Sequence, residues 1–224
     1  MIETTLTSAS HRSASERIAA ELRAAILAGE HPPGAWIRQA DVAARYGASR
    51  LPVREALRML ESQGLTEYHP HKGARVPVLS LHEVDVAYQM RERLEPLALS
   101  ESLAGLTHAD LAALKDLQRR IELDDDLRDF IDLDREFHLL TYSRCTIDHL
   151  MATVHRLWNS TQPYRRLYVS SIAKPALWII HAEHRLLIEA LERRDPVDGE
   201  RLLGGHIRRT RTELISRPDL FTSS

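Results

Sequence analysis

Asp134 and His138 stand one helical turn apart in the stretch IDLDREFHLL, residues 131–140, which puts a carboxylate and an imidazole on one side of a helix. Phe130, Leu133, Phe137 and Thr141 form the apolar stripe beside them, so both groups turn toward a core where each needs a partner. Two later helical stretches offer suitable partners. His184 falls on the stripe of Ile180, Leu187 and Leu191, and His206 lies at the edge of the stripe made by Leu203, Ile207 and Thr210. Three imidazoles and one carboxylate from three helices can converge inside a bundle and hold a metal ion. That donor set suits Zn²⁺ or Ni²⁺ and fits Ca²⁺ or Mg²⁺ poorly, because those ions favour oxygen shells. Each residue also has a plainer reading. A core-facing histidine commonly hydrogen-bonds to backbone, and Asp134 could pair with an arginine on a neighbouring helix. No spacing ties His149, His155 or His181 to the set.

A second constellation lies nearer the N-terminus. In RLPVREALRMLESQ, residues 50–63, Arg50, Arg54 and Arg58 repeat every four residues on a face separate from Val53, Leu57 and Leu60. A helix is narrow enough to enter the major groove, and guanidinium forks match both phosphates and the O6/N7 edge of guanine. His69, His71, Lys72 and Arg75 gather around the turn HPHKG, where Gly73 admits a tight geometry. The plainer reading is a solvated helix face on which Arg54, Glu55, Arg58 and Glu61 are ordinary surface patterning. Charge distribution leans toward an anionic partner. Residues 12–80 carry ten Lys/Arg against seven Asp/Glu, whereas residues 81–224 carry twenty against twenty-four.

The elements that must position these residues follow from breaks and periodicity. Ser13 or Ser15 can cap a first helix running to about Ala28, which GEHPPG then interrupts. A short extended piece, AWI, precedes a helix over 39–46 ended by Gly47. Ser49 caps the helix over 50–63, Pro52 sits in its first turn, and Gly64 closes it. LTEYHPHKGARVPVL then alternates as a two-stranded hairpin. From Leu81 the pattern is helical, with helices over 81–105, 107–123, 126–143, 146–170, 174–194 and 196–215. The breaks fall near Gly105, Asp124–Asp126, Cys145, Lys174–Pro175 and Pro196. The fold class is mainly α: an N-terminal winged helix-turn-helix of three helices plus a small β-hairpin over 12–79, then an antiparallel α-helical bundle over 82–217.

Composition sets the outer limits. A hydrophobic content of 43% is enough for a core, and no apolar run approaches the roughly 20 residues a bilayer crossing needs. The polar start MIETTLTSASHRS lacks the apolar segment of a signal peptide. Cys145, the single cysteine, excludes an internal disulfide and fits a reducing, cytoplasmic location; it has no metal or redox motif around it.

DVAARYGASRLPVREALRMLESQGLTEYHPHKGARV, residues 41–76, resembles the DNA-binding domain of the GntR family of bacterial transcription regulators, with Val42 in place of the first motif leucine. The resemblance implies that Arg50 and Arg54 contact DNA together with the wing residues His71, Lys72 and Gly73. Ser49, the motif residue before Arg50, joins this set. So do Arg38 and Arg45, which stand near Ala40, where some relatives carry an arginine.

AYQMRERLEPLALSESLA, then DREFH and two later histidines, is similar to the FadR-type C-terminal (FCD) domain. Six helices after the hairpin favour the VanR-like subgroup over the acyl-CoA-binding FadR subgroup. The resemblance implies the same metal ligands, Asp134, His138, His184 and His206, and makes Arg91 the partner of a small organic acid whose other oxygens reach the metal. The alternative for Arg91 is a helix-surface pair with Glu95. Relatives often carry an asparagine after the Asp-x3-His helix. YSRCTIDHL has none, which leaves Tyr142, Thr161, Gln162 and Tyr164 as substitutes.

The expected function is a metal-dependent, effector-responsive transcription regulator, a repressor that binds a short inverted repeat of double-stranded DNA as a homodimer. An enzyme, a metal hydrolase or lyase built on the bundle, is the second class. It lacks HExxH and paired Glu-x-x-His motifs, and Glu136 faces away from Asp134 and His138. A third reading keeps the regulator but makes its metal purely structural; loss of Arg91 would then leave acid binding untouched.

Overall fold

The computed structural model describes residues 2–124, 129–171 and 177–221. The chain divides into two compact units, the first reaching Ser80 and the second starting at Leu81, with residues 158–163 grouped with the first.

In the first unit, α1 (Ile2–Ala28), α2 (Gln39–Tyr46) and α3 (Arg50–Ser62) pack with three short strands, β1 (Trp36–Arg38), β2 (Glu67–His69) and β3 (Gly73–Arg75). Ile18, Leu22 and Ile26 of α1 meet Val53, Leu57 and Leu60 of α3 in one core that also takes Ile37, Val42, Leu65 and Val76. The apolar faces expected of both helices are thus the buried ones. The sheet is antiparallel in the order β1-β3-β2, so the expected hairpin gains a third strand from the extended piece before α2. The helix expected to start at Ser13 or Ser15 begins at Ile2 instead, and no glycine or proline interrupts Ile2–Ala28. Gly47, with φ 56°, ends α2 as expected by its left-handed conformation. Ser49 occupies the N-cap position of α3, yet its hydroxyl makes no capping bond.

The second unit is an antiparallel bundle of α4 (Leu81–Leu103), α5 (His108–Leu123), α6 (Phe130–Thr141), α7 (Asp148–Ser171), α8 (Trp178–Glu192) and α9 (Pro196–Ile215). The breaks expected at Asp124–Asp126 and Lys174–Pro175 fall partly or wholly outside the described residues, as do the first residues of the helices expected from 126 and 174. Thr107 and Asp110 close a capping box that starts α5, and Asp195 caps α9 with Pro196 in its first turn. α4 packs along α9 most extensively, and α5 lies against α6 and α8. Gly199 of α9 leaves room for Leu99 of α4, since a Cβ there would lie 3.0 Å from Leu99 Cδ2. Val84, Tyr88, Leu99, Leu114, Phe130, Phe137, Leu191 and Leu203 fill the core around the polar residues described next. No described helix is long and apolar enough to cross a membrane.

Candidate functional site

α6 carries Asp134 and His138 into the bundle, α8 brings His184, and α9 brings His206; all four are buried. One donor atom from each lies within 4.8 Å of all the others. The three imidazole centroids form a near-equilateral triangle with sides of 5.1, 4.9 and 5.0 Å. Phe137 stacks on the His184 ring at 4.3 Å and closes one side. Burial pushes His138 well below its ordinary pKa and His184 down to about 3, with His206 adding to both shifts and Asp134 opposing them. The two rings are therefore neutral lone-pair donors, the state a metal requires.

Two buried atoms test the fit. Asp134 Oδ1 and His184 Nε2 have no hydrogen-bond partner among the described residues and stand 3.7 Å apart, too far to satisfy each other. A divalent ion with ligand distances of about 2.0–2.2 Å would satisfy both. The residues present fit such an ion.

The outer contacts set the direction of each ring. Gln118 of α5 accepts from His184 Nδ1 at 2.7 Å through Oε1, and Glu183 of α8 accepts from His206 Nδ1 at 2.9 Å. Holding the proton on Nδ1 leaves Nε2 as the lone pair on each ring. Gln118 is fixed in turn by Glu122, and Glu183 by Arg209. Burial works against the Glu183 charge, but His206 and Arg209 outweigh it and keep its carboxyl below the usual range.

Asp134 also faces a cation. Arg165 of α7, itself buried, forms an ion pair with Oδ2, so the pairing with a neighbouring-helix arginine expected as the plainer reading is present beside the cluster. Burial opposes the Asp134 charge, yet the Arg165 guanidinium beside it holds its carboxyl well below the ordinary range. Arg91 is buried too. Its guanidinium lies over the Tyr88 ring at 4.8 Å and bonds Glu95 Oε1 at 2.5 Å. The Arg91–Glu95 pair weighed from sequence therefore exists, but in the core and not on a helix surface. Tyr142 donates to the other oxygen of Glu95 at 3.2 Å, while Tyr164 stacks on Phe221. A narrow cavity touches Tyr88, Arg91, His138, Arg165, His206 and Thr210, uniting the two guanidiniums with two rings of the cluster.

The remaining sequence candidates behave as their surroundings dictate. His181 is half-buried, His149 and His155 are exposed, and none joins the cluster. Glu136 is exposed, Cys145 is a half-buried free thiol.

In the first unit a groove runs between α2, α3 and the β2–β3 wing, lined by Gln39, Arg50, Arg54, Arg58, Tyr68 and His71. Arg38, Arg45, Ser49, Arg50, Arg54, His71 and Lys72 are all exposed. Arg58 lies over Tyr68 at 4.7 Å and Arg45 over Tyr46 at 5.6 Å. Glu61 accepts from the Tyr68 backbone N–H at 3.0 Å, so this acid pins the wing to α3 and does not neutralise the arginine face. Gly73 differs from the others in being buried. With φ 128° and a virtual Cβ 2.1 Å from Ile37 O, it shapes the wing by letting β3 lie against β1. His71 takes a left-handed φ of 63° at the tip, which turns its side chain out of the hairpin.

Sequence reasoning passed over Arg165, Gln118 and Glu183. Arg165 follows Val154, Trp158 and Thr161 at core spacing, and Gln118 follows Leu111 and Leu114 in the same way, so a polar residue on an apolar stripe was the available signal. Glu183 had none, because its partner His206 is on another helix.

Comparison with known proteins agrees with this layout. Residues 86–209 match the FCD domain family, and residues 14–76 match the family described as bacterial regulatory proteins, gntR family. The HTH-type transcriptional repressor RspR of Escherichia coli K12 is 29% identical over 78% of this chain and 77% of its own length. The solved structure of E. coli McbR/YncC is similar with a TM-score of 0.79 and 25% identity, covering 91% of this chain and 98% of that one. A GntR-family transcriptional regulator from Pseudomonas syringae pv. tomato is 32% identical with a TM-score of 0.56, covering 91% and 85%.

Proposed function

The chain belongs to the gntR family of bacterial regulatory proteins with an FCD domain as its larger part, and from that premise we propose a metal-dependent transcription repressor that releases DNA when it binds a small carboxylate. The observation that carries this reading is the buried Asp134–His138–His184–His206 cluster, two of whose rings, His138 and His206, line the same cavity as Arg91. Fold and relatives are those of regulators and not of enzymes.

His138, His184 and His206 give neutral nitrogen donors and Asp134 one oxygen, a set for Zn²⁺ or Ni²⁺. The ion, when bound, supplies a Lewis-acidic position for a carboxylate oxygen. Arg91, held in place by Glu95 and Tyr88, offers the guanidinium fork for the acid's carboxylate. In the first unit Arg50 and Arg54 enter the major groove, with Ser49, Arg38 and Arg45 on flanking phosphates and His71 and Lys72 of the wing on the adjacent backbone. A homodimer with one such surface per half-site reads a short inverted repeat. The acid must bind the DNA-free form more tightly than the DNA-bound form, or it switches nothing. RspR is named a repressor, which favours repression here. Six α-helices after the wing among the described residues favour the VanR-like subgroup.

The test is direct. Purified protein should contain close to one divalent transition ion per chain by elemental analysis, lose thermal stability on chelation, and regain it with Zn²⁺ or Ni²⁺. Fluorescence anisotropy on the DNA upstream of its own gene should then show release by a small carboxylate, with release lost in Arg91→Ala. If Arg91→Ala responds like the wild type, the metal is structural and the effector reading falls.

A further inference from the structure

Leu51 is the second residue of α3, and its side chain is 43% exposed although the next two residues, Pro52 and Val53, are buried. It has no part in the core of the first unit, which takes Val53, Leu57 and Leu60 from the same helix. Leu51 instead lines the groove between α2, α3 and the wing. Among the described residues that line this groove, it is the one exposed large apolar side chain. A lone exposed leucine is ordinary on a protein surface. One set among arginines on a face that meets DNA is different, because DNA offers an apolar side chain few partners.

The exposed surface of α3 carries two adjacent rows. Arg50 and Arg54, one turn apart, present guanidinium forks; Leu51 and Glu55, one turn apart beside them, present a branched alkyl group and a carboxylate. All four are exposed, and the three charged ones make no hydrogen bond or ion pair among the described residues. A phosphate suits the first row and not the second, where Glu55 repels it and Leu51 gives up water for no polar partner. The second row therefore faces base edges and not the backbone. Its place on the helix agrees, since the N-terminal residues of a recognition helix are those that reach base edges, and Leu51 stands in the first turn. Of the groups on those edges in the major groove, the C5 methyl of thymine is the apolar one. Glu55, one turn on, can accept there from the N4 amino group of cytosine.

We infer that Leu51 is a specificity-determining residue that packs against the C5 methyl of a thymine in the operator, beside the positions met by Arg50 and Arg54. The inference rests on α3 being the helix that reads DNA, as proposed above. The arginines donate hydrogen bonds and so favour guanine edges or phosphates. They do not distinguish thymine from uracil, which present the same hydrogen-bonding groups. Leu51 does, because the two bases differ by the methyl group alone.

The test uses the full-length protein and duplexes that it selects from a random pool. Each thymine of a selected site is replaced in turn by deoxyuridine, which removes the methyl and leaves every hydrogen-bonding group in place, and affinity is read by fluorescence anisotropy. At least one replacement should weaken wild-type binding about fourfold, the worth of one buried methyl group. Leu51→Ala should bind the thymine and deoxyuridine duplexes equally. Leu51→Asn, of similar size but without the apolar end, should do the same and serves if the alanine variant does not fold. A merely structural role for Leu51 would weaken binding to both duplexes alike and leave the methyl dependence in place. That result, or the absence of any methyl-dependent thymine, overturns the inference while α3 remains the reading helix wherever Arg54→Ala still weakens binding. Undiminished binding of the same sites by both Arg50→Ala and Arg54→Ala takes α3 out of the interface and overturns both readings.

Discussion

Both units rely on arginine, in opposite environments. In the first, Arg50 and Arg54 are exposed and make no hydrogen bond or ion pair among the described residues. In the second, Arg91 and Arg165 are buried and each is tied to a carboxylate. An exposed guanidinium is already solvated, so it contributes little to stability and stays available to a polyanion whose counterions it can release. A buried one is neutralised by its neighbour and responds only when the local charge count changes. On the proposed reading the first arrangement meets a surface and the second the content of a cavity. Substitutions should therefore separate the units cleanly, the buried pairs governing stability and ligand loading, the exposed set governing DNA affinity.

The largest effect should come from Asp134→Ala. It leaves Arg165 buried without its carboxylate, and breaking such a pair from one side costs about 3–5 kcal/mol. Urea denaturation of the metal-free variant should show a loss of that order, and elemental analysis should find no bound ion. If stability changes by less than 1 kcal/mol, water reaches Arg165 and the core is wetter than its burial indicates. His184→Ala should act differently. It removes a neutral ring, so most of its effect should appear as lost metal and as loss of the metal's stabilisation in thermal melts.

Gln118→Ala and Glu183→Gln come next. Neither residue belongs to the cluster, but each accepts a hydrogen bond from Nδ1 of one of its rings. Outer contacts of this kind are worth about 10–100-fold in metal affinity. Competition against a metal-binding dye measures this, and unchanged affinity in both variants would mean that the rings are oriented by packing alone, Phe137 on His184 included.

These residues also mark where the sequence stopped being legible. The quartet could be found because Asp134 and His138 share one turn and His184 and His206 sit on or beside apolar stripes, all local properties of helices. All six bundle helices could be placed for the same reason, even where Pro96 and Pro163 lie inside α4 and α7. What pairs with what could not. Arg165 with Asp134, Gln118 with His184 and Glu183 with His206 are contacts between helices, decided by bundle packing. Strand β1 was seen only as an extended piece because three residues show no alternation, and its partner lies 35 or more residues further on. The start of α1 was misplaced because serines that can cap a helix can equally sit inside one when nothing else breaks it.

The smallest stability effect, and the sharpest contrast, belongs to Arg54→Ala. Its side chain is exposed on α3, so folding stability should stay within about 0.5 kcal/mol of wild type. DNA affinity should nevertheless fall, and the slope of log K against log[salt] should drop by about one if Arg54 meets a phosphate. If it reads a guanine edge instead, the slope should hold, and the loss, about 1–3 kcal/mol, should be confined to operators carrying that base pair. Anisotropy titrations at several salt concentrations, on an operator and on a scrambled duplex, distinguish the two. Metal content should be unchanged in either case, because no carboxylate of the cluster depends on Arg54. A variant that lost both DNA affinity and metal would break the comparison, showing that the exposed and buried arginines answer to one another and not to separate partners.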